Sequence, residues 1–245
     1  MWFEVDKDGL AKLCARRGKV FVIHELLQNC WDLDGAGTTK VTFEPIPGKA
    51  LARLVVEDDD PDGFSDLTHA YTLFAESAKK TDTRKRGRFN LGEKLVLALC
   101  EDATIISTKG GLRFDRSGRH TLRRRREAGS LIECTIRMTR EEYDEALRQA
   151  VMVLPPSGTV TLLNGVPLMP RTPDGAADNV PLPTEISGPD GSLRRTVRST
   201  EVRAYRPLPG EWVFRSWSCP TTLSISRSSR RSPCRWSAML YRRRT

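Results

Sequence analysis

The chain has 245 residues, of which 38% are hydrophobic and 29% are charged. These proportions are typical of a soluble globular protein with one large domain or two modest ones. No stretch approaches 18 consecutive apolar residues, which excludes a membrane-spanning helix, and the acidic N-terminus does not resemble a secretory signal. The six cysteines show no CxxC spacing, so we expect reduced, buried thiols in a cytoplasmic protein.

The formal net charge of +9 is concentrated at the C-terminus. Residues 215–245 hold eight arginines and no acid, which leaves 32 basic and 31 acidic residues, a net of +1, over residues 1–214. The basic pI therefore does not assign the body of the chain to nucleic acid. The tail itself is about half Arg and Ser. It is interpreted as a disordered basic tail, a DNA-binding tail or, because Trp and Cys are scattered through it, an out-of-frame translation, which we favour.

Hydrophobic periodicity and turn residues divide the rest of the chain into alternating elements. In chain order, the predicted elements are a helical region 10–33 with a break at Gly18, strands 40–46 and 50–58, helix 66–77, a charged loop 79–90, helix 91–102, strands 104–109, 112–115 and 130–138, helix 139–154, a strand–turn–strand unit 159–170, linkers 170–192 and a weak strand 194–205. Thr139 and Glu142 form a predicted capping box. Asn164-Gly165 is the predicted hairpin turn.

A polar stripe on the second half of the first helical region carries the strongest chemical signal. Glu25, Asn29 and Asp32 are spaced i, i+4 and i+7, so they share one side of a helix, while Leu26, Leu27 and Cys30 form an apolar side. The stripe offers a base for a water molecule, an oxygen ligand for Mg²⁺ and a further polar contact. An ordinary amphipathic helix with exposed polar residues is the alternative. His24 lies off this stripe, and we expect it to be structural.

The segment ELLQNCWDLDGAGTTKVTFE (residues 25–44) resembles the first ATP-binding motif of the GHKL ATPases, the superfamily of gyrase-like, MutL-like, heat-shock-chaperone and histidine-kinase ATP-binding domains. The resemblance implies that Glu25 is the general base, that Asn29 is the magnesium ligand and that Asp32 lies along the nucleotide pocket. Cys30 and Leu33 stand where the family usually has Ser and Ala.

Two further segments resemble glycine-containing boxes of the same superfamily. LVVEDDDPDGF (54–64) resembles the strand and loop whose Asp binds the adenine amino group. The strand pattern favours Asp58, the spacing to Gly63 and Phe64 favours Asp59, and we prefer Asp59 slightly. GRFNLGEKLVLAL (87–99) resembles the phosphate loop, with Asn90 in place of one glycine. It lies before a helix, whose first amides bind phosphate. This box implies nucleotide contacts by residues 87–92: Gly87, Arg88, Phe89, Asn90, Leu91 and Gly92.

Two shorter matches follow the order of the superfamily. LFAESAKK (73–80) resembles the ATP-lid segment, with Ser77 and Lys79 as the implied nucleotide contacts. EAGSLIECTIRM (127–138) resembles the strand that closes the pocket, with Ser130 in the position of a conserved Thr. The basic residues of loop 79–90 are expected to be mostly solvated, and the Arg123–Arg126 run is expected to lie at a strand edge or hairpin.

The resemblance implies an α/β two-layer fold of the Bergerat type, in which helices cover one face of a mixed, mostly antiparallel sheet. It implies an ATP-binding domain over residues 1–138, a partial transducer-like segment over 139–210 and the tail over 211–245. The implied activity is Mg²⁺-dependent ATP hydrolysis that drives lid closure, with an unknown protein or nucleic-acid client, ATP-dependent homodimerisation and no membrane contact. A protein kinase on the same fold and a degenerate, non-hydrolysing nucleotide-binding module are the alternatives.

Overall fold

A computed structural model describes residues 6–15, 18–33, 37–64, 66–72, 92–156, 158–187 and 193–205. The chain divides into two compact units. The first comprises Met1–Ala78 and Gly87–Pro170, and the second comprises Lys79–Arg86 and Arg171–Thr245. Most of the predicted lid and phosphate loop lies outside the described residues.

The described part of the first unit contains four α-helices and one 3₁₀ helix. They are α1 (Lys7–Ala15), α2 (Val20–Trp31), a 3₁₀ helix (Leu67–Ala70), α3 (Gly92–Leu99) and α4 (Arg140–Val151). The predicted break between α1 and α2 is confirmed at Gly18, whose φ of +78° favours glycine. None of the described helices is long and apolar enough to cross a membrane.

Eight strands of the first unit form one mixed sheet. They are β1 (Thr38–Pro45), β2 (Leu51–Asp58), β3 (Cys100–Ser107), β4 (Gly110–Asp115), β5 (Gly118–Leu122), β6 (Leu131–Arg137), β7 (Val160–Leu163) and β8 (Val166–Pro167). Their order is β5-β4-β3-β6-β2-β1-β7-β8. Every pairing is antiparallel except that of β1 with β7, which is parallel.

The hydrophobic core lies between one face of this sheet and helices α2, α3 and α4. Alternate residues of the central strands, such as Phe43 and Leu54, form one buried cluster with Leu26 of α2, Val96 of α3 and Ala146 of α4. The other face carries exposed ion pairs, including Arg53 with Glu133 (2.7 Å) and Arg137 with Glu101 (2.9 Å). The sheet and the helices that cover one of its faces therefore form two layers, and the other face of the sheet is charged. The predicted fold class is therefore confirmed.

Two local predictions in the last third of this unit are confirmed. Thr139 Oγ1 accepts a hydrogen bond from Glu142 N (3.2 Å), and Glu142 Oε2 accepts one from Thr139 N (2.8 Å), which is the capping box that begins α4. Asn164 and Gly165 have φ values of 49° and 79° and form the turn between β7 and β8. Both signals are local in sequence, which is why the sequence revealed them.

Other elements differ from the predictions. The predicted helix 66–77 is described only as the one-turn 3₁₀ helix, in which the Asp66 side chain accepts a hydrogen bond from Thr68 N (2.8 Å). The predicted helix 91–102 ends at Leu99, and Cys100 already begins β3. The first unit extends to Pro170, beyond the boundary placed after Met138, because β7 pairs with β1 in the same sheet.

The second unit contains an antiparallel pair, β9 (Gly175–Ser187) and β10 (Leu193–Ala204). The sequence prediction of linkers over 170–192 is wrong for β9. Its prolines Pro181 and Pro183 suggested a linker, yet both strands of a two-stranded sheet are edge strands, where proline is tolerated. The weak strand predicted over 194–205 is confirmed as β10.

Candidate functional site

Three polar side chains form a row across β1, β2 and β6 at one end of the sheet. Thr39 is the cross-strand neighbour of Asp58, and Asp58 N donates to Ser130 O (3.0 Å). Thr39 and Asp58 are an even number of positions from the core residues of β1 and β2, and Ser130, directly before β6, is an even number from those of β6. All three therefore point toward the helical layer. Their exposed fractions are 0%, 6% and 6%. The row therefore forms the polar end of the interface between the sheet and the helices, which is otherwise apolar.

The carboxylate of Asp58 is held by backbone amides on one oxygen. Oδ1 accepts hydrogen bonds from Asp60 N (3.1 Å) and Ser130 N (3.2 Å), while Oδ2 lies 4.0 Å from the Cys30 thiol of α2. Burial raises the pKa of Asp58, and the two amides and the nearby Arg126 oppose that rise without cancelling it. Oδ2 thus faces the helical layer as an acceptor in a desolvated environment.

Two hydroxyls of the row are buried without a protein partner. Ser130 Oγ and Thr39 Oγ1 make no hydrogen bond to any residue that the structure describes. A buried polar group without a partner costs about 1–3 kcal/mol, so such groups in native proteins call for a ligand or water that completes them. Together with Asp58 Oδ2 they can donate to and accept from the edge of a planar polar ligand.

Asp59 has a different environment from Asp58. Its side chain is exposed, and Oδ1 accepts hydrogen bonds from Gly37 N and Thr38 N, both at 2.8 Å. Slight desolvation raises its pKa, but the hydrogen bonds from Thr38 and Gly37 outweigh that effect and lower it overall. Asp59 therefore anchors the start of β1 to the end of β2.

The turn that follows β2 is tightly closed on two neighbouring strands. Asp60 O accepts hydrogen bonds from Gly63 N (3.0 Å) and Gly129 N (2.7 Å). Gly63 and Gly129 have φ values of +60° and +74°, and a Cβ on Gly129 would lie 1.9 Å from Asp58 O. Phe64 N donates to Ser107 Oγ (2.7 Å) at the end of β3. Glycine at position 129 lets the chain that enters β6 approach the Asp58 carbonyl group closely.

Helix α2 carries the predicted polar stripe, and its C-terminal end contacts this row through Cys30. Glu25, Asn29 and Asp32 are half-buried, whereas Leu26 and Leu27 of the adjacent side are fully buried. Two contacts position the end of α2: Cys30 lies against Asp58, and Trp31 Nε1 donates to Thr161 Oγ1 of β7 (3.0 Å). These contacts bring the C-terminal end of α2 to the end of β2 that carries Asp58.

Helix α3 is the remaining described element of the predicted site. It spans Gly92–Leu99 and packs against α1 and α2. Several predicted contact residues lie outside the described residues: Ser77, Lys79, Gly87, Arg88, Phe89, Asn90 and Leu91.

His24 is half-buried on α2, and its buried Nε2 atom has no hydrogen-bond partner in the described part of the chain. Burial lowers its pKa from 6.5 to about 4, so the ring is neutral at pH 7. A neutral ring buried in this way is consistent with the structural role expected from the sequence.

The sequence did not indicate Thr39, Asp60 or Ser107 as parts of this site. Thr39 enters it only through the register of β1 on β2, and Ser107 through its contact with Phe64, 43 residues earlier. A cavity of about 330 Å³ lies elsewhere, between the β1–β2 turn and the start of α4, where Pro45, Lys49 and Tyr143 line it. It is at the opposite end of β2 from Asp58, and none of the predicted site residues lines it.

No protein-family model matches the chain, and no curated protein matches it. Among solved structures, it is similar to the ATPase and transducer domains of DNA topoisomerase II from Balamuthia mandrillaris, with a TM-score of 0.45, 15% identity, and coverage of 62% of this chain and 48% of that chain. It is also similar to the ATPase region of Saccharomyces cerevisiae topoisomerase II bound to ICRF-187 (dexrazoxane), with a TM-score of 0.43, 12% identity, and coverage of 62% and 49%.

The chain spans about half the length of these two solved structures. The likeness concerns the fold and assigns no activity to this chain.

Proposed function

We propose that the first unit is a GHKL-type ATP-binding domain, and that it binds the adenine of Mg²⁺-ATP at the row formed by Thr39, Asp58 and Ser130. The observation that carries this proposal is a buried carboxylate beside two buried hydroxyls that have no partner among the described residues. A nucleobase edge supplies the donors and acceptors that this row lacks. The motif resemblance supports the same location, and Cys30 brings the end of α2 to Asp58.

The acceptor character of Asp58 favours adenine over guanine. Adenine carries an amino group at position 6, which donates to Oδ2, whereas guanine carries a carbonyl oxygen there, which would face the carboxylate. Two acceptors facing each other in a desolvated site leave both unpaired, and sites of this kind discriminate strongly. Of the two acids that the sequence left open, Asp58 is therefore the one we assign to the base, and Asp59 to the anchoring of β1.

The stripe on α2 supplies the groups for hydrolysis. In this proposal Glu25 accepts the proton of the water that attacks the γ-phosphate, and the side-chain oxygen of Asn29 holds Mg²⁺. Asp32, at the C-terminal end of α2, would make a further contact with the nucleotide. Mg²⁺ would neutralise charge on the phosphates while these residues position the water, which is the main task of a protein in phosphoryl transfer.

The remaining contacts in the proposal follow from the resemblance. Residues 87–92 would bind the phosphates, Ser77 and Lys79 would belong to a lid over them, and Gly63 and Phe64 would border the base. Lid closure would change contacts with a client protein or nucleic acid or with a second copy of the chain, in the cytoplasm. Such closure couples nucleotide state to conformation in many ATPases.

A comparison of neighbouring acids tests the proposal. Asp58→Asn should weaken Mg²⁺-ATP binding by about tenfold or more, because the amide presents a donor near the adenine amino group. The matched control, Asp59→Asn, should leave affinity within about twofold, and wild type should prefer ATP to GTP. Isothermal titration calorimetry measures all three quantities. Equal effects of the two substitutions, or no ATP binding by wild type, would contradict the assignment.

The same proteins test hydrolysis. Glu25→Gln should keep ATP binding and reduce phosphate release at least about 100-fold, whereas Glu44→Gln on the exposed face of β1 should not. If wild type binds ATP without turnover, the chain is a non-hydrolysing nucleotide-binding module. If labelled phosphate is transferred to protein, it is a kinase.

A further inference from the structure

The edge of the sheet at β5 carries a cluster of arginines that the proposed function does not use. Residues 108–126 contain eight Lys and Arg and a single acid, Asp115. Removing them from the 32 basic and 31 acidic residues of 1–214 leaves 24 basic and 30 acidic ones. The body of the chain is therefore not uniformly neutral. Residues 108–126 carry a net charge of +7, whereas the rest of residues 1–214 carries a net charge of −6.

Three of these eight cations are neutralised by carboxylates. Arg113 pairs with Asp115 (3.2 Å), Arg116 with Glu101 (3.3 Å), and Arg126 with Glu57 (3.2 Å). The other five are exposed and have no carboxylate within 4.0 Å in the described ranges. We call them the basic edge, and they are Lys109, Arg119, Arg123, Arg124 and Arg125.

The fold brings the basic edge together along one side of the sheet. Arg126 N donates to Ser107 O (3.1 Å), which places the turn at Lys109 beside the Arg123–Arg125 run. Arg119 is opposite Phe114 near the other end of β5, and its guanidinium lies 3.6 Å from the ring centroid of Tyr71. Arg123 is four positions after Arg119, which corresponds to roughly 13 Å of extended chain.

Protection of an edge strand explains only part of this cluster. Exposed edges often carry charges that prevent pairing with another sheet, and Arg119 fits that role. However, β5 ends at Leu122, so Arg123, Arg124 and Arg125 follow the strand, and Lys109 lies in a different turn. Like charges held together without acids repel one another, and they are stabilised when an anionic partner is bound.

We propose that the basic edge binds the sugar-phosphate backbone of duplex nucleic acid without sequence preference. A duplex presents about eight charges over 13 Å of its axis, and arginine matches phosphate geometry with paired donors. Among the exposed large apolar residues that the structure describes, Val160 and Val166 lie in β7 and β8, at the opposite edge of the sheet from β5.

The composition of the edge argues against other anionic partners. Single-stranded nucleic acid is bound largely by stacking on open aromatic faces, and the face of Tyr71 is covered by Arg119. Membrane-surface binding combines basic residues with apolar groups that insert among the lipids, and the basic edge contains none. This surface acts independently of the nucleotide proposal, since none of its residues belongs to the row or the stripe.

Fluorescence anisotropy of a labelled DNA duplex with the full chain tests the inference. The triple variant Arg123→Ser/Arg124→Ser/Arg125→Ser should weaken binding about tenfold or more and reduce the slope of log affinity against log salt by about 2–3. The matched control Lys12→Ser/Lys40→Ser/Lys49→Ser removes the same charge from exposed positions elsewhere and should change affinity by about twofold or less. Both variants retain the Arg-rich tail, so the difference between them isolates the basic edge.

A second variant and a second probe complete the test. Lys109→Ser/Arg124→Ser should weaken binding in the same direction as the triple variant. Thermal unfolding midpoints should match wild type because both side chains are exposed and form no ion pair with a described residue. Equal affinities of the triple variant and its control would overturn the proposal. So would wild-type binding to phosphatidylserine vesicles with none to the duplex.

Discussion

Asp58 and Asp59 are consecutive residues, yet the strand directs their carboxylates to opposite faces of the sheet. Asp58 faces the helices, where burial raises its pKa, and Asp59 faces solvent, where the Thr38 and Gly37 amides outweigh slight desolvation and lower its pKa. One residue is suited to a buried hydrogen bond with a ligand, and the other to securing the start of β1. Alternation along a strand, with a period of two, separates their roles.

His24 gives a residue-scale prediction about pH. Its folded pKa is about 4 against 6.5 in the unfolded chain, so the unfolded state binds more protons between these values. Stability should therefore fall as the pH falls from 6.5 to 4, by about 3 kcal/mol in all, and no further loss should come from this group below pH 4. His24→Gln should remove that contribution.

Urea unfolding of wild type and His24→Gln at pH 6.5 and at pH 4 measures the effect. The raised pKa of Asp58 acts with the opposite sign, because a carboxyl that protonates more readily when folded gains stability as the pH falls. It is present in both proteins and cancels in the comparison. Parallel pH profiles for the two proteins would show that His24 is not the buried neutral group described above.

At the scale of elements, the turn after β2 holds the polar row in place. Asp60 O binds the amides of Gly63 and Gly129, so the chain leaving β2 is tied to the chain entering β6. Ser107 extends this connection to β3 by accepting from Phe64 N and donating to Phe64 O. The ends of β2 and β3 and the start of β6 are thereby fixed around Asp58. The positions of the residues in the row depend on close backbone contacts, which a side chain at Gly63 or Gly129 would obstruct.

Gly129→Ala tests that dependence, with Gly48→Ala as its matched control. Both glycines have φ near +70°, but a Cβ at Gly48 meets nothing within 4 Å, whereas one at Gly129 would overlap the Asp58 carbonyl oxygen. Gly48→Ala should cost about 1–2 kcal/mol of the free energy of unfolding, from backbone conformation alone. Gly129→Ala should cost roughly 3 kcal/mol or more, since β2 and β6 must separate at this end.

Urea unfolding of the two variants gives both values, and ATP titration of the folded fraction reports on the row. Gly129→Ala should also weaken ATP binding, while Gly48→Ala, at the far end of β2, should not. Similar losses of stability in the two variants would mean that the strands adjust to the added methyl group without strain.

For the whole molecule, the eight-stranded sheet gathers every described residue of the proposed nucleotide site into one compact unit. The described residues proposed to bind ATP lie between Glu25 and Ser130, all in the first unit. The Arg-rich tail contributes none of them. The charge of the chain is unevenly distributed, since the tail (215–245) and residues 108–126 together hold 16 Lys and Arg and a single acid.

A chain that ends at Tyr205 should therefore bind Mg²⁺-ATP as the full chain does. We expect dissociation constants within about twofold of each other, because no proposed contact is removed and tail charges are screened at physiological salt. Calorimetric titration of both proteins in the same buffer provides the measurement. A severalfold loss of affinity on removal of residues 206–245 would show that the tail takes part in nucleotide binding.

The sequence by itself determined the parts of this protein that local signals encode. The helical periodicity of α2, the break at Gly18, the capping box of Thr139 and Glu142 and the Asn164-Gly165 turn each depend on residues within a few positions of one another. The motif stretch from Glu25 to Glu44 was recognisable for the same reason. The predicted linker over β9 was wrong because proline and glycine also occur in edge strands.

Only the tertiary structure decided which residues meet. Thr39, Asp58 and Ser130 are separated by 19 and 72 positions and become neighbours through strand register, which no local pattern specifies. The parallel pairing of β1 with β7 and the approach of Lys109 to the Arg123–Arg125 run have the same origin. Hydrogen bonds between distant strands depend on the packing of the whole sheet against α2, α3 and α4, so the polar row and the basic edge exist only in the folded chain.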